Sequence, residues 1–129
     1  MVLNAAEKKE IEFYEFEQFR LEAATRRLFG RDNKHIPLPP RSIDILLYLV
    51  QNSGELLTKD ELMSKIWSDQ VVEENNLTVR IAALRKALGE TRSETAFIQT
   101  IQGQGYRFVA EVSKNIRRIE NQPPENNKK

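Results

Sequence analysis

Cysteine is absent from this sequence, and histidine occurs once, as His35. Without thiols there is no disulfide framework, no zinc-finger site and no cysteine nucleophile, and the chain suits a reducing compartment such as the cytoplasm. His35 has no second His and no Cys with which to share a metal, and no nucleophile motif surrounds it, so it reads as structural. No metal and no cofactor is expected. Long apolar runs are missing too. The longest, Ile45 to Val50, falls far short of the roughly 20 residues that cross a bilayer, and the N-terminus lacks the charged-then-apolar layout of a signal peptide. Glycine is sparse, and the pair Gly103 and Gly105 is followed by neither Gly-Lys-Ser/Thr nor a helix start, which excludes a phosphate-binding loop. No constellation of paired ionisable groups supports an enzyme, and no small-molecule substrate is implied.

What is present is an ordinary globular composition, 40% hydrophobic and 30% charged over 129 residues, enough for one domain with one core. The net charge of +1 argues little for a polyanionic partner, but its distribution says more than its sum. Acids predominate from Met1 to Ala24 (Glu7, Glu10, Glu12, Glu15, Glu17, Glu22), whereas Asn75 to Leu88 holds Arg80, Arg85 and Lys86 and no acid. One surface is therefore expected to be positive on a nearly neutral molecule.

From Ile11 to Leu38, short apolar stretches alternate with turn-prone residues such as Gly30-Arg31-Asp32-Asn33, the pattern of a small antiparallel sheet. Periodicity alone leaves a helix from Ala6 to Phe29 open as an alternative. Pro39-Pro40 then opens a helix with Ile43, Leu46, Leu47 and Val50 on one face, stopped by Asn52-Ser53-Gly54. Thr58 and Glu61 have capping-box spacing ahead of Leu62, Met63, Ile66 and Trp67, which gives a second, short helix. Asn75 or Asn76 can cap a third, striped by Leu77, Ile81, Leu84 and Leu88 and ended by Gly89. Phe97 to Ile101 and Tyr106 to Val109 read as the strands of a hairpin tipped by Gln102-Gly103-Gln104-Gly105. The expected divisions are a flexible 1–10, a folded domain at 11–112 and a flexible basic tail at 113–129.

At about 100° per residue, the face of the third helix opposite its leucine stripe presents Asn75, Val79, Ala82, Ala83 and Lys86, with Asn76, Thr78 and Arg85 on its shoulders. A small, polar or basic face of this kind can approach the major-groove floor, where Asn pairs with adenine, Thr or Val touches a thymine methyl, and Arg or Lys reaches guanine or phosphate. The competing interpretation is a solvated face, or, given two alanines, a protein-facing one.

Taken in order, Pro40-Arg41 opening a helix, Leu57-Thr58 with its capping box, Ile66-Trp67, the run Leu77 to Leu88 and Gly103-Gln104-Gly105-Tyr106-Arg107-Phe108 resemble the C-terminal effector domain of the OmpR/PhoB family, over roughly Phe13 to Val112. The resemblance implies an α+β winged helix-turn-helix: an N-terminal antiparallel four-stranded sheet, three helices and a C-terminal β-hairpin wing. It implies binding to double-stranded promoter DNA, with helix 75–88 in the major groove and wing 98–109 at the minor groove. By position, Asn75, Asn76, Thr78, Val79, Ala82, Ala83 and Lys86 would face the groove. Trp67, Arg85, Thr100 and Tyr106 would touch phosphate or backbone, while Gln102, Gly103, Gln104, Gly105 and Arg107 form the wing. For Trp67 and Tyr106, a core aromatic with a polar tip is the alternative. The loop Ser68 to Glu74 corresponds to the segment the family turns toward RNA polymerase, which singles out Asp69, Glu73 and Glu74.

The sequence departs from the family pattern where Ala82 and Ala83 replace midhelix arginines, where Gln102 replaces an Arg before the wing, and where Pro39 replaces a hydroxyl N-cap. These imply weaker affinity per domain, a different recognition sequence and one more backbone donor open to water at the first helix. No receiver domain is expected ahead of the module, a layout that resembles the ToxR/CadC-like one-component regulators, cytoplasmic ahead of a membrane segment or sensor that would lie beyond Lys129 if the chain is a fragment, Lys129 being equally open as the natural end. Pairing of two copies on half-sites is implied by the resemblance. A protein-interaction module using Val79, Ala82 and Ala83 is the alternative function.

Overall fold

A computed structural model describes residues 8–90 and 97–120. The N-terminal stretch is β-structure, not helix: β1 (Lys8–Phe16), β2 (Phe19–Glu22), β3 (Arg27–Phe29) and β4 (His35–Ile36) pair successively in antiparallel fashion. Alternation decides it, since Tyr14, Phe16, Phe19, Leu21 and Leu28 are buried while Glu15, Glu17 and Arg27 are exposed.

Three helices follow. In α1 (Pro40–Gln51), Pro39 occupies the N-cap without a side-chain bond, and Ile43, Ile45, Leu46, Leu49 and Val50 are buried. A two-residue strand β5 (Leu57–Thr58) leads into α2 (Lys59–Ile66), where the Thr58 hydroxyl accepts the Glu61 N–H at 3.0 Å. The capping box is only half made, because the Glu61 carboxylate accepts the Tyr48 hydroxyl at 2.8 Å and so joins α2 to α1. α3 (Asn75–Ala87) buries Leu77, Ile81 and Leu84, but neither Asn75 nor Asn76 caps it. Glu74 is the N-cap, itself in helical conformation, and the Asn76 side-chain amide donates back to the Glu73 carbonyl at 3.0 Å. The other end is as the sequence predicts. Gly89 adopts φ 78°, with Gly89 N–H on the Lys86 carbonyl at 3.1 Å and Glu90 N–H on the Arg85 carbonyl at 2.9 Å, a Schellman closure.

The hairpin consists of β6 (Ile98–Ile101) and β7 (Gly105–Phe108), each within a residue of the expected limits, and β7 also pairs with β5, making a three-stranded sheet β5-β7-β6. Its root is packed into the N-terminal sheet through four aromatic rings: Phe16 lies 5.1 Å from Phe108 and 6.0 Å from Phe97, and Phe19 lies 5.5 Å from Phe97. Edge-on aromatic contact adds to their area burial, so the sheet is the platform on which the hairpin stands.

The divisions at the chain ends need correction. Residues 113–120 are not a flexible tail but strand β8 (Ser113–Glu120), antiparallel to β1 from Lys8↔Glu120 to Glu15↔Ser113. The sheet consequently has five strands, in the order β4-β3-β2-β1-β8, rather than four. Lys8 to Glu10, assigned to a flexible N-terminus, belong to β1. The physical reason is complementarity: Arg118 meets Glu10 at 2.9 Å, Lys114 meets Glu12 at 3.4 Å and the Asn115 amide donates to Glu15 at 3.2 Å. Basic residues that resemble a solvated tail in isolation are the cross-strand partners of the acidic N-terminal segment. The remainder of the proposed ends, 1–7 and 121–129, lies outside the described residues.

Candidate nucleic-acid interface

The leucine stripe of α3 faces inward, and on the opposite side Asn75, Asn76, Thr78, Val79, Ala82 and Lys86 are exposed and Ala83 half-buried. The seven residues predicted for the groove thus share one outward face. Val79 is 50% exposed at the centre of this face. Among the described residues, no carboxylate lies within ion-pair distance of Lys86 or Arg80. No described residue neutralises their charge.

Beside α3 stands the hairpin. Its turn residues Gln102, Gly103 and Gln104 are exposed, Gly103 holding φ 74° with open space around it. Gly105 serves a different purpose from a flexible tip. It is buried against β5, and a Cβ there would fall 2.0 Å from the Leu57 carbonyl oxygen, so only glycine lets the two backbones meet. Arg107 is half-buried on β7, opposite Gln99, with no described carboxylate in ion-pair reach.

The residues predicted for phosphate contact divide. Trp67 and Tyr106 are each only 6% exposed and belong to the core, with neither the indole N–H nor the phenol hydroxyl sealed away without a partner. Thr100 is exposed on β6, and its hydroxyl accepts an N–H from Arg85 at 2.7 Å. Arg85 is committed within the fold: it also donates to the Ile98 carbonyl at 2.9 Å and pairs with Glu90 at 3.4 Å. Its guanidinium turns sideways toward the hairpin.

In the loop before α3, Asp69 and Glu73 are exposed, while Glu74 is held by Lys59 at 2.8 Å. That pairing raises the Lys59 ammonium above its ordinary range, chiefly through the hydrogen bond to Glu74. Lys59 also donates its backbone N–H to the Gln104 carbonyl at 3.1 Å, so a single residue at the start of α2 touches both the hairpin turn and the entry to α3. Sequence reasoning missed Lys59, whose partners Glu74 and Gln104 are remote along the chain, Glu90, whose carboxylate bonds match no local motif, and Val71, which is fully exposed in the same loop as Glu74. His35 is exposed on β4, its ring 5.6 Å from that of Phe29. Among the described residues, no group of acidic, His or Cys side chains is arranged to hold a metal, and no helix is long and apolar enough to cross a membrane.

Residues 33–108 match the family described as transcriptional regulatory protein, C terminal, which is a class of DNA-binding domains and not of enzymes. The transcriptional regulator HilA of Salmonella typhimurium is 40% identical over 78 residues, 60% of this chain and 14% of HilA. The transcriptional activator CadC of Escherichia coli is 34% identical over 84 residues, 64% of this chain and 16% of CadC. The chain therefore spans only a small part of the length of these relatives. Among solved structures, the DNA-binding domain of E. coli CadC matches with a TM-score of 0.70 at 26% identity, covering 81% of this chain and 98% of that domain. The response regulator DrrB of Thermotoga maritima, an OmpR/PhoB homologue, matches with a TM-score of 0.69 at 30% identity, over 75% of this chain and 44% of DrrB. With more than half its length matched, and with three helices leading into a hairpin wing, the chain belongs to the transcriptional regulatory protein C-terminal family, the OmpR/PhoB-type winged-helix DNA-binding domains.

Proposed function

We propose that this domain reads duplex promoter DNA with α3 in the major groove and the wing at the minor groove. The observation that carries this reading is the outward face of α3: acid-free, shallow in side-chain relief, and bearing a lysine with no described counter-charge. Asn75, Asn76, Thr78, Val79, Ala82 and Ala83 select sequence, Lys86 adds charge, and Trp67, Thr100 and Tyr106 contact the phosphate backbone through their polar tips. Gln102 to Gly105 and Arg107 present the wing. Two copies on neighbouring half-sites supply the affinity that one small face lacks. The loop carrying Asp69, Glu73 and Glu74 meets RNA polymerase, and the domain works in the cytoplasm as the DNA-reading part of a CadC-like regulator.

Fluorescence anisotropy against a randomised duplex pool at several salt concentrations, with sequencing of the bound fraction, tests the reading. Enrichment of a repeated half-site is expected, with a log–log salt slope of roughly −4 to −6 for several phosphate contacts at about −0.9 each. No binding at low salt, even by an enforced dimer, refutes it. Such a result would favour a protein-interaction module, a reading that draws on the exposed Val79 beside Ala82 and Ala83. Ala83→Arg separates the two, because it strengthens a DNA contact and abolishes an apolar protein contact.

A further inference from the structure

The link between α3 and the wing runs through an ion pair between the buried carboxylate of Glu90 and the half-buried guanidinium of Arg85. Gly89 turns the chain so that Glu90 folds back over the end of α3, where its N–H donates to the carbonyl of Arg85 at 2.9 Å and its carboxylate meets the guanidinium of that same residue at 3.4 Å. The Glu90 side chain is only 5% exposed. Its second oxygen accepts two backbone donors at the start of the wing, Phe97 N–H at 3.0 Å and Ile98 N–H at 2.7 Å. Arg85 completes the circuit by donating to the Ile98 carbonyl at 2.9 Å and the Thr100 hydroxyl at 2.7 Å. The last turn of α3 and the first three residues of β6 are thus fixed to each other by one carboxylate and one guanidinium.

We propose that Glu90 is a positioning residue for DNA recognition: with Arg85 it sets the wing in register with α3, so that both engage one duplex at once. The proposal rests on the DNA-reading function above. It assigns Arg85 chiefly to this node instead of to a phosphate. Its distinguishing feature is a sign. A carboxylate beside a polyanion opposes binding, so on charge alone the removal of Glu90 tightens DNA binding. As a positioning residue, its removal weakens binding.

The experiment uses the full chain and the half-site selected from the random pool. Glu90→Ala is expected to lower affinity at least about tenfold, the loss that goes with one charge-assisted hydrogen bond, and to flatten the salt slope by about 0.9 for each wing phosphate contact that is lost. Glu90→Gln, which retains an acceptor for the two backbone donors, should recover part of the affinity. Arg85→Lys keeps the charge but cannot serve Glu90, Ile98 and Thr100 together, and should behave like Glu90→Ala. Hydrogen exchange of the free proteins gives a readout that needs no DNA: the Phe97 and Ile98 amides should lose protection in Glu90→Ala while those of α1 keep theirs. Protection lost equally throughout would mean a general loss of stability and would overturn the proposal. So would equal or tighter DNA binding by Glu90→Ala with an unchanged slope, or Arg85→Lys binding like the parent. If the parent chain itself binds no duplex, the function proposed above fails, and this role fails with it while the exchange result still reports the node.

Discussion

Strand β8 and helix α3 each carry three basic side chains, of which the fold pairs two on β8, leaving exposed Arg117 without a described carboxylate, and only one on α3. On β8, Lys114 and Arg118 lie against Glu12 and Glu10 of β1, their charges matched across a ladder that ties the two ends of the described chain together. On α3, Lys86 and Arg80 find no described carboxylate, and only Arg85, turned toward the wing, is paired. A net charge of +1 averages over these two regimes. What matters to a polyanion is the charge that folding leaves unmatched.

The largest effect should come from removing the support on the α3 side alone. Gly105→Ala drives a methyl group into the Leu57 carbonyl, a backbone atom that cannot turn aside. A loss of about 3 kcal/mol or more is expected, the upper end for overpacking, read as a fall in Tm and accompanied by loss of DNA binding. Because Gly105 lies in the β5-β7-β6 sheet, the β1–β8 ladder is not its partner, and a variant that melts like the parent would show that the wing root is not closed as described. A smaller but more specific contrast follows from the charges. Lys86→Ala should weaken binding to every sequence and flatten the salt slope by about 0.9, whereas Lys114→Ala and Arg118→Ala should leave both affinity and slope nearly unchanged. Equal slopes for all three would dissolve the distinction between matched and unmatched cations.

Asn76→Ala probes the same face with less energy. Its amide donates to the Glu73 carbonyl in the free domain, so this side chain must exchange an internal bond for a base edge. A change in base preference at one position is expected, on the order of 1 kcal/mol, measured by repeating the pool selection. Uniform weakening on all sequences would instead make Asn76 a local helix-start contact and remove it from the reading set.

The legible and illegible parts of this protein differ in the range of the interactions that decide them. The helices were legible because Ile43, Leu46 and Val50, and likewise Leu77, Ile81 and Leu84, recur at helical spacing, a local property of the chain. The outward face of α3 follows from the same periodicity. Gly89 was also legible, since a left-handed closure is settled within a few residues. β8 was not. Ser113 to Glu120 has only Ile116 and Ile119 as apolar residues, and its strand character comes from pairing with β1, roughly a hundred positions earlier. Glu61 matched a capping-box pattern but is drawn off by Tyr48 on another helix. Glu90 has no local motif at all, and its partners Phe97 and Ile98 stand on the far side of an intervening segment.

The smallest effect concerns acid, and it tests the matched side of the comparison. The Tyr14 hydroxyl donates to Glu12 at 2.6 Å and holds its carboxyl below the ordinary carboxylate range, against a slight desolvation, while Lys114 acts in the same sense as Tyr14. Burial, together with the same bond, pushes the Tyr14 phenol above its usual range. A carboxylate depressed on folding contributes stability that is complete above its unfolded value and disappears as pH falls through the folded one, because the unfolded chain takes up the proton first. Between about pH 5 and about pH 3, the Tm of the parent should therefore fall slightly more than that of Glu12→Gln, which has no proton to gain there. Since the carboxylate is well exposed, the difference should be small and should shrink further in high salt. If the two proteins fall in parallel, the Tyr14–Glu12–Lys114 contact adds nothing to the ladder, and β8 is held by its backbone hydrogen bonds with the Arg118–Glu10 and Asn115–Glu15 contacts.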